Sequence, residues 1–281
     1  MFLDTTISDA GTPAVRMQRA EGAARASFRM REGRSRLATL YQEGCAKIRL
    51  PRPVEAAHAP EAVLINTAGG LTGGDRFAVE IAVAEAARAV ISTQACERIY
   101  RSTGADARVA NTLRVGSGAR LCWLPQETIL FNGARLARRL EVDLEGDAEL
   151  LAVEAVLWGR QAMGESVSAG FLHDRWRVRR DGRLIFAEDF RVDGAVAEKL
   201  ARPAALGGRR AMATVLHVSA APERVLDEAR GIAGAEGGAS VWGGKLVVRL
   251  VAESGLLLRR RLEPLLGLLA PEQPLPKVWQ L

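Results

Sequence analysis

Between about residue 16 and residue 200 the chain alternates apolar and polar residues in short runs, and glycine-containing turns close most of them. In "RFAVEIAVA", Phe77, Val79, Ile81 and Val83 point one way while Ala78, Glu80 and Ala82 point the other. "RLEVDLEG" repeats the pattern, with Leu140, Val142 and Leu144 set against Arg139, Glu141 and Asp143. A side-chain period of two suits a half-buried strand and cannot present one face of a helix. "DRWRVRRDGRLIFAED" predicts a hairpin. Trp176 and Val178 share one face, Arg175, Arg177 and Arg179 the other, and Asp181-Gly182 supplies a positive-φ turn. No long amphipathic helix separates these runs, which argues against a doubly wound α/β fold. The expectation is a mainly β protein with a large β-architecture. No fixed-period repeat is visible.

Two regions depart from the alternation. "ELLAVEAVLWGRQAMGE", residues 149–165, is apolar almost throughout. It fits a buried strand ending at Gly159 followed by a short turn of helix, but a short apolar run does not separate strand from helix. After a loop around 201–210 the pattern becomes α+β over residues 211–281. "ATVLHVS" reads as a strand. "APERVLDEARGI" reads as a helix, with Pro222 in its first turn and Val225, Leu226, Ala229 and Ile232 on one face. "ASVWGGKLVVRLVAE" is a strand pair or one long strand with a Gly-Gly break. "GLLLRRRLEPLLGLL" is a helix kinked or broken near Pro264. Residues 1–15 are expected to be a flexible tail, and residues 16–281 a single domain with a β-rich body to about residue 200.

The net charge is +6, and only Lys47, Lys199, Lys245 and Lys277 interrupt an otherwise all-arginine set of cations. Acidic residues are interspersed among them, so a mixed solvated surface is favoured over a nucleic-acid stripe. Stacking platforms for RNA need exposed aromatics between cations. Only "RIYRS" and "DRWRVRR" offer that, and alternation puts Trp176 opposite its arginines. Cys45, Cys96 and Cys122 are scattered, with no C-x-x-C, which excludes a zinc ribbon or disulfide scaffold. The N-terminus lacks the basic and apolar regions of a signal peptide. No apolar run approaches the ~18 residues of a membrane span. A cytoplasmic protein with reduced thiols is expected.

"INTAGGLTGGDRF", residues 65–77, looks at first like a phosphate-gripping loop. A P-loop needs a lysine and a hydroxyl after its last glycine. Here Gly73 and Gly74 are followed by Asp75, which repels phosphate, and Gly69, Gly70, Gly73 and Gly74 also fail G-x-G-x-x-G. The remaining reading is a turn or bulge where two backbones approach closely, with Asp75 capping its own turn amides. Catalytic chemistry is poorly represented. His58, His173 and His217 are far apart in sequence, and there is no G-x-S-x-G elbow. Cys96 adjoins the charged "ERIYR", which would favour its thiolate, but it has no recognisable base. A small-molecule hydrolase would require a His-centred pocket. No enzymatic role is expected.

Four stretches, taken in order and spacing, are more specific than any one alone. "GGLTGGDRF" (69–77), "TQACERIYRS" (93–102), "LPQETILFNGARLARRLEVDL" (124–144) and "WGRQAMGE" (158–165), with the closing "LPKVWQL" (275–281), resemble the urease accessory protein UreD family, called UreH in some organisms. Asn132 stands where the family pattern has Asp, and Glu97-Arg98 where many members carry a lysine. The resemblance implies a non-catalytic scaffold that binds apo-urease and recruits a UreF-type helical partner. Through that partner it would reach the UreG-type GTPase that delivers nickel. It also implies a mainly β fold, a large layered or helical β-architecture with a few α-helices, and no tightly bound cofactor, and a nickel route through the family's protein interior has been proposed. Tight Ni²⁺ sites favour His and Cys, whereas a path that must release the ion needs weak oxygen contacts. Asp75, Glu127 and Glu165 are candidates for transient nickel contacts, with Arg76, Arg135 and Arg160 as counter-charges. Partner-binding or conduit candidates are those residues with Gly69, Gly70, Gly73, Gly74, Glu97, Tyr100, Arg101, Gln126 and Trp279. The arginine-rich helix at 256–263 is a further candidate anchor.

Overall fold

A computed structural model describes residues 18–52 and 59–279, so the expected tail over 1–15 and His58 lie outside the described residues. The alternating runs are strands. β1 (Glu21–Arg31) and β2 (Arg34–Gly44) form one antiparallel pair, β3 (Ala46–Arg49) and β4 (Glu61–Asn66) another. From there the chain winds. One coil contains β5 (Arg76–Val83), β6 (Arg88–Thr93) and the short β7 (Glu97–Ile99). The next contains β8 (Ala107–Val115), β9 (Arg120–Leu124) and β10 (Thr128–Leu130), and a third β11 (Arg135–Leu144) and β12 (Glu149–Trp158). The expected hairpin is β13 (Ala169–Arg180) and β14 (Arg183–Ala195), turning through Asp181 and Gly182, both at positive φ. There follow α1 (Val196–Ala201), β15 (Ala211–Val218), α2 (Leu226–Ala233), β16 (Gly237–Trp242), β17 (Lys245–Ala252) and α3 (Gly255–Leu269).

Corresponding strands of successive coils stack in parallel: Arg76 faces Arg108, Arg108 faces Ala137, and Ala137 faces His173. Two sheets result. The first runs β14-β13-β11-β8-β5-β1-β2, and the main path of the second runs β16-β17-β15-β12-β9-β6-β4-β3. β7 and β10 form a narrow third strip that joins the end of β12. The register steps differ from coil to coil, which is why no fixed period shows in the sequence.

The layers explain the ambiguous segments. One apolar cluster fills the space between the two sheets, with Phe28, Ile81, Leu113, Leu140 and Trp176 meeting Ile91, Leu121, Trp123 and Leu150. A second lies between the other face of the second sheet and the C-terminal helices, joining Val153, Val215 and Val248 to Leu258, Leu262, Leu265 and Leu269. The second sheet is therefore buried on both faces, and β12 must be apolar at nearly every position. It ends at Trp158, and the turn of helix after Gly159 is a 3₁₀ turn, Gln161–Met163. Gly243-Gly244 divides β16 from β17, so that segment is a strand pair. α3 runs through Pro264 without a break, held by buried Leu258, Leu262, Leu265, Leu266 and Leu269 along one stripe. Ser254 caps it by accepting from the Leu257 amide.

Between the sheets lies a buried ion network. Arg138 of β11, where alternation alone would place an apolar residue, donates to both carboxylate oxygens of Asp174 on β13, at 3.1 and 2.6 Å. It also donates to Thr128 and to Glu154 of β12, while the Trp123 indole donates to Glu154. One guanidinium thus ties the two sheets together. Removing one member of such a cluster strands buried charge, which costs more than the intact cluster contributes. Arg138→Met should lower the unfolding free energy by about 3–5 kcal/mol. The triple variant R138M/E154M/D174L should recover most of that loss in the same denaturant titration, because no buried charge is left unmatched.

Candidate functional site

The four family-like stretches come together on one edge of the coil. Leu71 pairs with Ile99, Ile99 with Leu130, and Leu130 with Trp158, one residue from each stretch in successive rungs. All four are buried. Rungs of a sheet stand ~4.8 Å apart, so the turns between them must also stack at that distance. This accounts for the glycines. A Cβ on Gly70 would lie 2.4 Å from the Tyr100 ring and 2.7 Å from the Arg98 carbonyl, and Gly70 has φ +148°. A Cβ on Gly73 would lie 2.0 Å from Ser102 Oγ and 2.2 Å from the Ala105 carbonyl. Gly69 and Gly74 complete the same turn, and Asp75 caps it by accepting from Thr72 N at 2.7 Å and Ala20 N at 2.9 Å. Close approach is the answer to the glycine-rich stretch.

Polar contacts between corners follow the same ladder. The Tyr100 hydroxyl donates to the Gly69 carbonyl, and Thr72 Oγ1 to the Arg101 carbonyl. Arg101 itself bridges to Ala134 in the next coil. Tyr100 meets Phe131 edge to face at 5.0 Å, and the Arg160 guanidinium lies over Phe131 at 4.3 Å. Glu165 accepts from Arg160 Nε at 2.9 Å and from the Asn132 and Arg160 amides, which hold its carboxyl below the usual range. Asn132 Oδ1 accepts from Ser168 N, Ser168 Oγ and Ala169 N. An amide oxygen meets those donors without the charge that Asp would bring.

A second set of contacts locks the C-terminal segment to this edge. Glu127 is buried and accepts from Arg259 Nη2 at 2.6 Å and Nε at 3.1 Å, and from Cys96 Sγ at 3.3 Å. Arg259 also reaches Gln126 and stacks on Trp279 at 5.3 Å. Gln126 donates to the Val278 carbonyl, and the Trp279 indole to the Leu124 carbonyl. Trp279 is fully buried and closes the core, so it is not a surface anchor, and the arginine-rich helix spends Arg259 and Arg261 on internal partners. Burial and the adjoining Glu127 carboxylate push the Cys96 thiol up to about 12, the opposite of the activation expected from its charged neighbours. The counter-charge assignment also changes. Arg160 does pair with Glu165, but Arg135 pairs with Asp106 at 2.7 Å, Glu127 takes Arg259, and Asp75 is held by amides instead of Arg76. Arg76 is exposed at the start of β5.

Inside the edge, a small cavity has mainly apolar walls, among them Phe77, Val79, Val109 and Trp123, into which Glu97, Asn111, Gln126, Thr128, Arg138 and Glu154 also face. Outside it, a groove is lined by Tyr100, Ile129, Phe131, Leu157 and Met163 and rimmed by Arg98, Arg160 and Arg210. It reaches the start of α3, where Leu256 and Leu257 are exposed. Met163 is 72% exposed, Leu256 63% and Tyr100 36%. Sequence reasoning missed Met163, Arg138 and Asp174, because nothing local distinguishes them. Neither His173 nor His217 lines the cavity or the groove. His173 pairs with Asp189. Burial pushes His217 down to about 4, with its Nδ1 unpartnered among the described residues. Trp176 is buried away from the arginines flanking it, as the alternation requires. Among the described residues, no group of three or more His, Cys, Asp and Glu is placed to hold a metal ion, and no helix is long and apolar enough to cross a membrane.

Burial raises the Glu97 carboxyl to about 7 against the help of its Asn66 hydrogen bonds. The folded chain therefore binds this proton more tightly than the unfolded chain does. The stability cost is absent below the ordinary value near 4.5 and grows as pH rises through about 7. Glu97→Gln keeps an acceptor for Asn66. It should stabilise the protein by about 1–2 kcal/mol at pH 8 and by only a small remainder at pH 5, read from thermal melts at the two pH values.

Residues 20–280 match the model of the family described as UreD urease accessory protein. The chain is 53% identical over 277 residues to urease accessory protein UreD 1 of Brucella abortus, covering 97% of this chain and 98% of that one. It is 52% identical over 269 residues to urease accessory protein UreD of Rhizobium etli, covering 95% and 98%. The UreD protein of Rhizobium leguminosarum is 51% identical with the same coverage. With nearly its whole length matched, the chain belongs to the UreD family of urease accessory proteins.

Proposed function

We propose that this chain is a non-catalytic scaffold of urease maturation. It binds apo-urease and recruits a UreF-type helical partner. Through that partner it recruits the UreG-type GTPase that delivers nickel. The observation that carries this reading is the convergence of four separate stretches on one edge, beside an uncovered apolar groove. Exposed apolar area costs roughly 25 cal/mol per Å², a cost relieved only when a partner covers it. Tyr100 and Met163 are side chains of the kind enriched at interfaces, exposed Leu256 adds apolar area at the groove's end, and the arginine rim favours a partner with acidic flanks.

Nickel in this reading is cargo, and its contacts are transient. Of the carboxylates proposed from the sequence, Asp75 and Glu127 are buried and fully engaged. Glu165 is the accessible one, because its partner Arg160 is 44% exposed and can swing aside. We place the first ion contact there, with the small, mainly apolar cavity that Glu97 and Glu154 also line further inside. Asp75→Ala is a poor probe of transport, since it also removes the cap of the glycine turn.

The test is co-expression with urease subunits and a UreF-type protein from the same source. The unaltered chain should co-purify with both, and failure to form either complex overturns the proposal. Met163→Ala/Leu256→Ala, at two exposed side chains, should reduce recovery of at least one partner by about tenfold, equivalent to roughly 1.4 kcal/mol, with its own melting temperature retained. Glu165→Gln should form the complexes yet leave urease under-loaded with nickel by elemental analysis. Full loading would reduce Glu165 to a brace.

A further inference from the structure

The two sheets differ in what covers them. Helices cover the second sheet, whereas the outer face of the first carries no further layer among the described residues. At its centre, Ala78, Ala110 and Ala137 form a flat floor on adjacent strands β5, β8 and β11. Arginines stand around that floor in like-charge pairs. Arg76 is directly opposite Arg108 across β5 and β8, and Arg139 is directly opposite Arg175 across β11 and β13. Like charges directly opposite on a sheet destabilise it, so such pairs are expected to have counter-charges nearby. Glu141 is taken by Arg175 and Arg179, and Asp189 by Arg177 and His173. Glu80 is taken by Arg25. No carboxylate among the described residues pairs with Arg76, Arg108 or Arg139, all three of which are exposed.

We propose that this face, centred on the alanine floor between β5 and β13, is a docking surface for an acidic protein surface. The missing counter-charges are supplied by that partner. It is a second surface, distinct from the apolar groove, and it does not depend on the identity of the groove's partner. Four strands spaced ~4.8 Å apart and about eight residues long give a platform of roughly 500 Å², which suits a protein patch better than a single small anion. A nucleic acid fits less well. The neighbouring aromatics Phe77 and Trp176 are buried, which leaves no stacking platform, and Glu141 and Asp189 at the margin repel phosphates. A mixed but predominantly acidic protein surface can meet both signs.

The test measures binding of the full chain to poly-L-glutamate and to a single-stranded oligonucleotide of equal charge, at low and moderate salt. We expect binding to poly-L-glutamate that weakens with salt and is reduced at least tenfold in Arg76→Glu/Arg139→Glu. The control Arg202→Glu/Arg224→Glu changes net charge equally on exposed sites elsewhere and should retain most of the binding. The melting temperature of Arg76→Glu/Arg139→Glu should be unchanged or raised, because each new carboxylate faces an arginine; purely structural arginines would lower it. If that variant nevertheless melts lower, Arg108→Gln alone removes one charge at similar size and should still weaken binding. No binding by the unaltered chain, or equal loss in both double variants, overturns the proposal. Tighter binding of the oligonucleotide through the same arginines overturns the choice of an acidic protein.

Discussion

The spacing between hydrogen-bonded strands, ~4.8 Å, governs this molecule more than any single residue does. Strands in a sheet satisfy it automatically, but the corners of a coil satisfy it only if their side chains shrink or interlock. At Gly70 and Gly73 the chain has no side chain at all, and the ring of Tyr100 and the turn at Ser102 occupy the space released. One rung further, Phe131 receives Tyr100 on one side and Arg160 on the other. Leu71, Ile99, Leu130 and Trp158 run beneath these contacts as a buried spine. The sequence stretches that carry the family resemblance are therefore largely corner chemistry. The outer rim of those corners is the part left for the proposed partner.

The same constraint explains what could and could not be read from sequence. β5 and the β13–β14 hairpin were legible because one face of the first sheet meets water, so polarity alternates, and Asp181-Gly182 marks the turn. β12 was ambiguous because the second sheet is covered on both sides and loses its alternation. Arg138 and Asp174 keep the strand period while violating the apolar expectation at inward positions. Their partners lie on other strands, so no local pattern reveals them. The pairing of Glu127 with Arg259 spans 132 residues and reversed the expectation for Cys96, whose sequence neighbours are charged but whose spatial neighbour is a carboxylate. The coil was expected only through the family resemblance, because its turns are unequal in length and leave no fixed period in the residues.

Charge is distributed by layer. Between the sheets, Arg138 is matched by Glu154 and Asp174, and along the motif edge Glu165 and Glu127 are matched by Arg160 and Arg259. On the outer face of the first sheet the matching stops at the alanine floor. Burial explains the difference. An unmatched charge inside the protein costs several kcal/mol, whereas an exposed one costs little and can be left for a partner to complete.

Saturated carboxylates also suit a path that must not retain its cargo. A preformed cluster of open oxygen or nitrogen ligands holds a divalent ion, and the ion then leaves slowly. A carboxylate already satisfied by a tethered arginine receives an ion only by displacing that arginine. The guanidinium stays within reach and competes for the site as soon as the ion can move on. In the proposed route Glu165 with Arg160 has this arrangement at the surface. In that proposed route, affinity would be the difference between two ion pairs and not the strength of one, which keeps the contact weak without leaving the carboxylate unmatched.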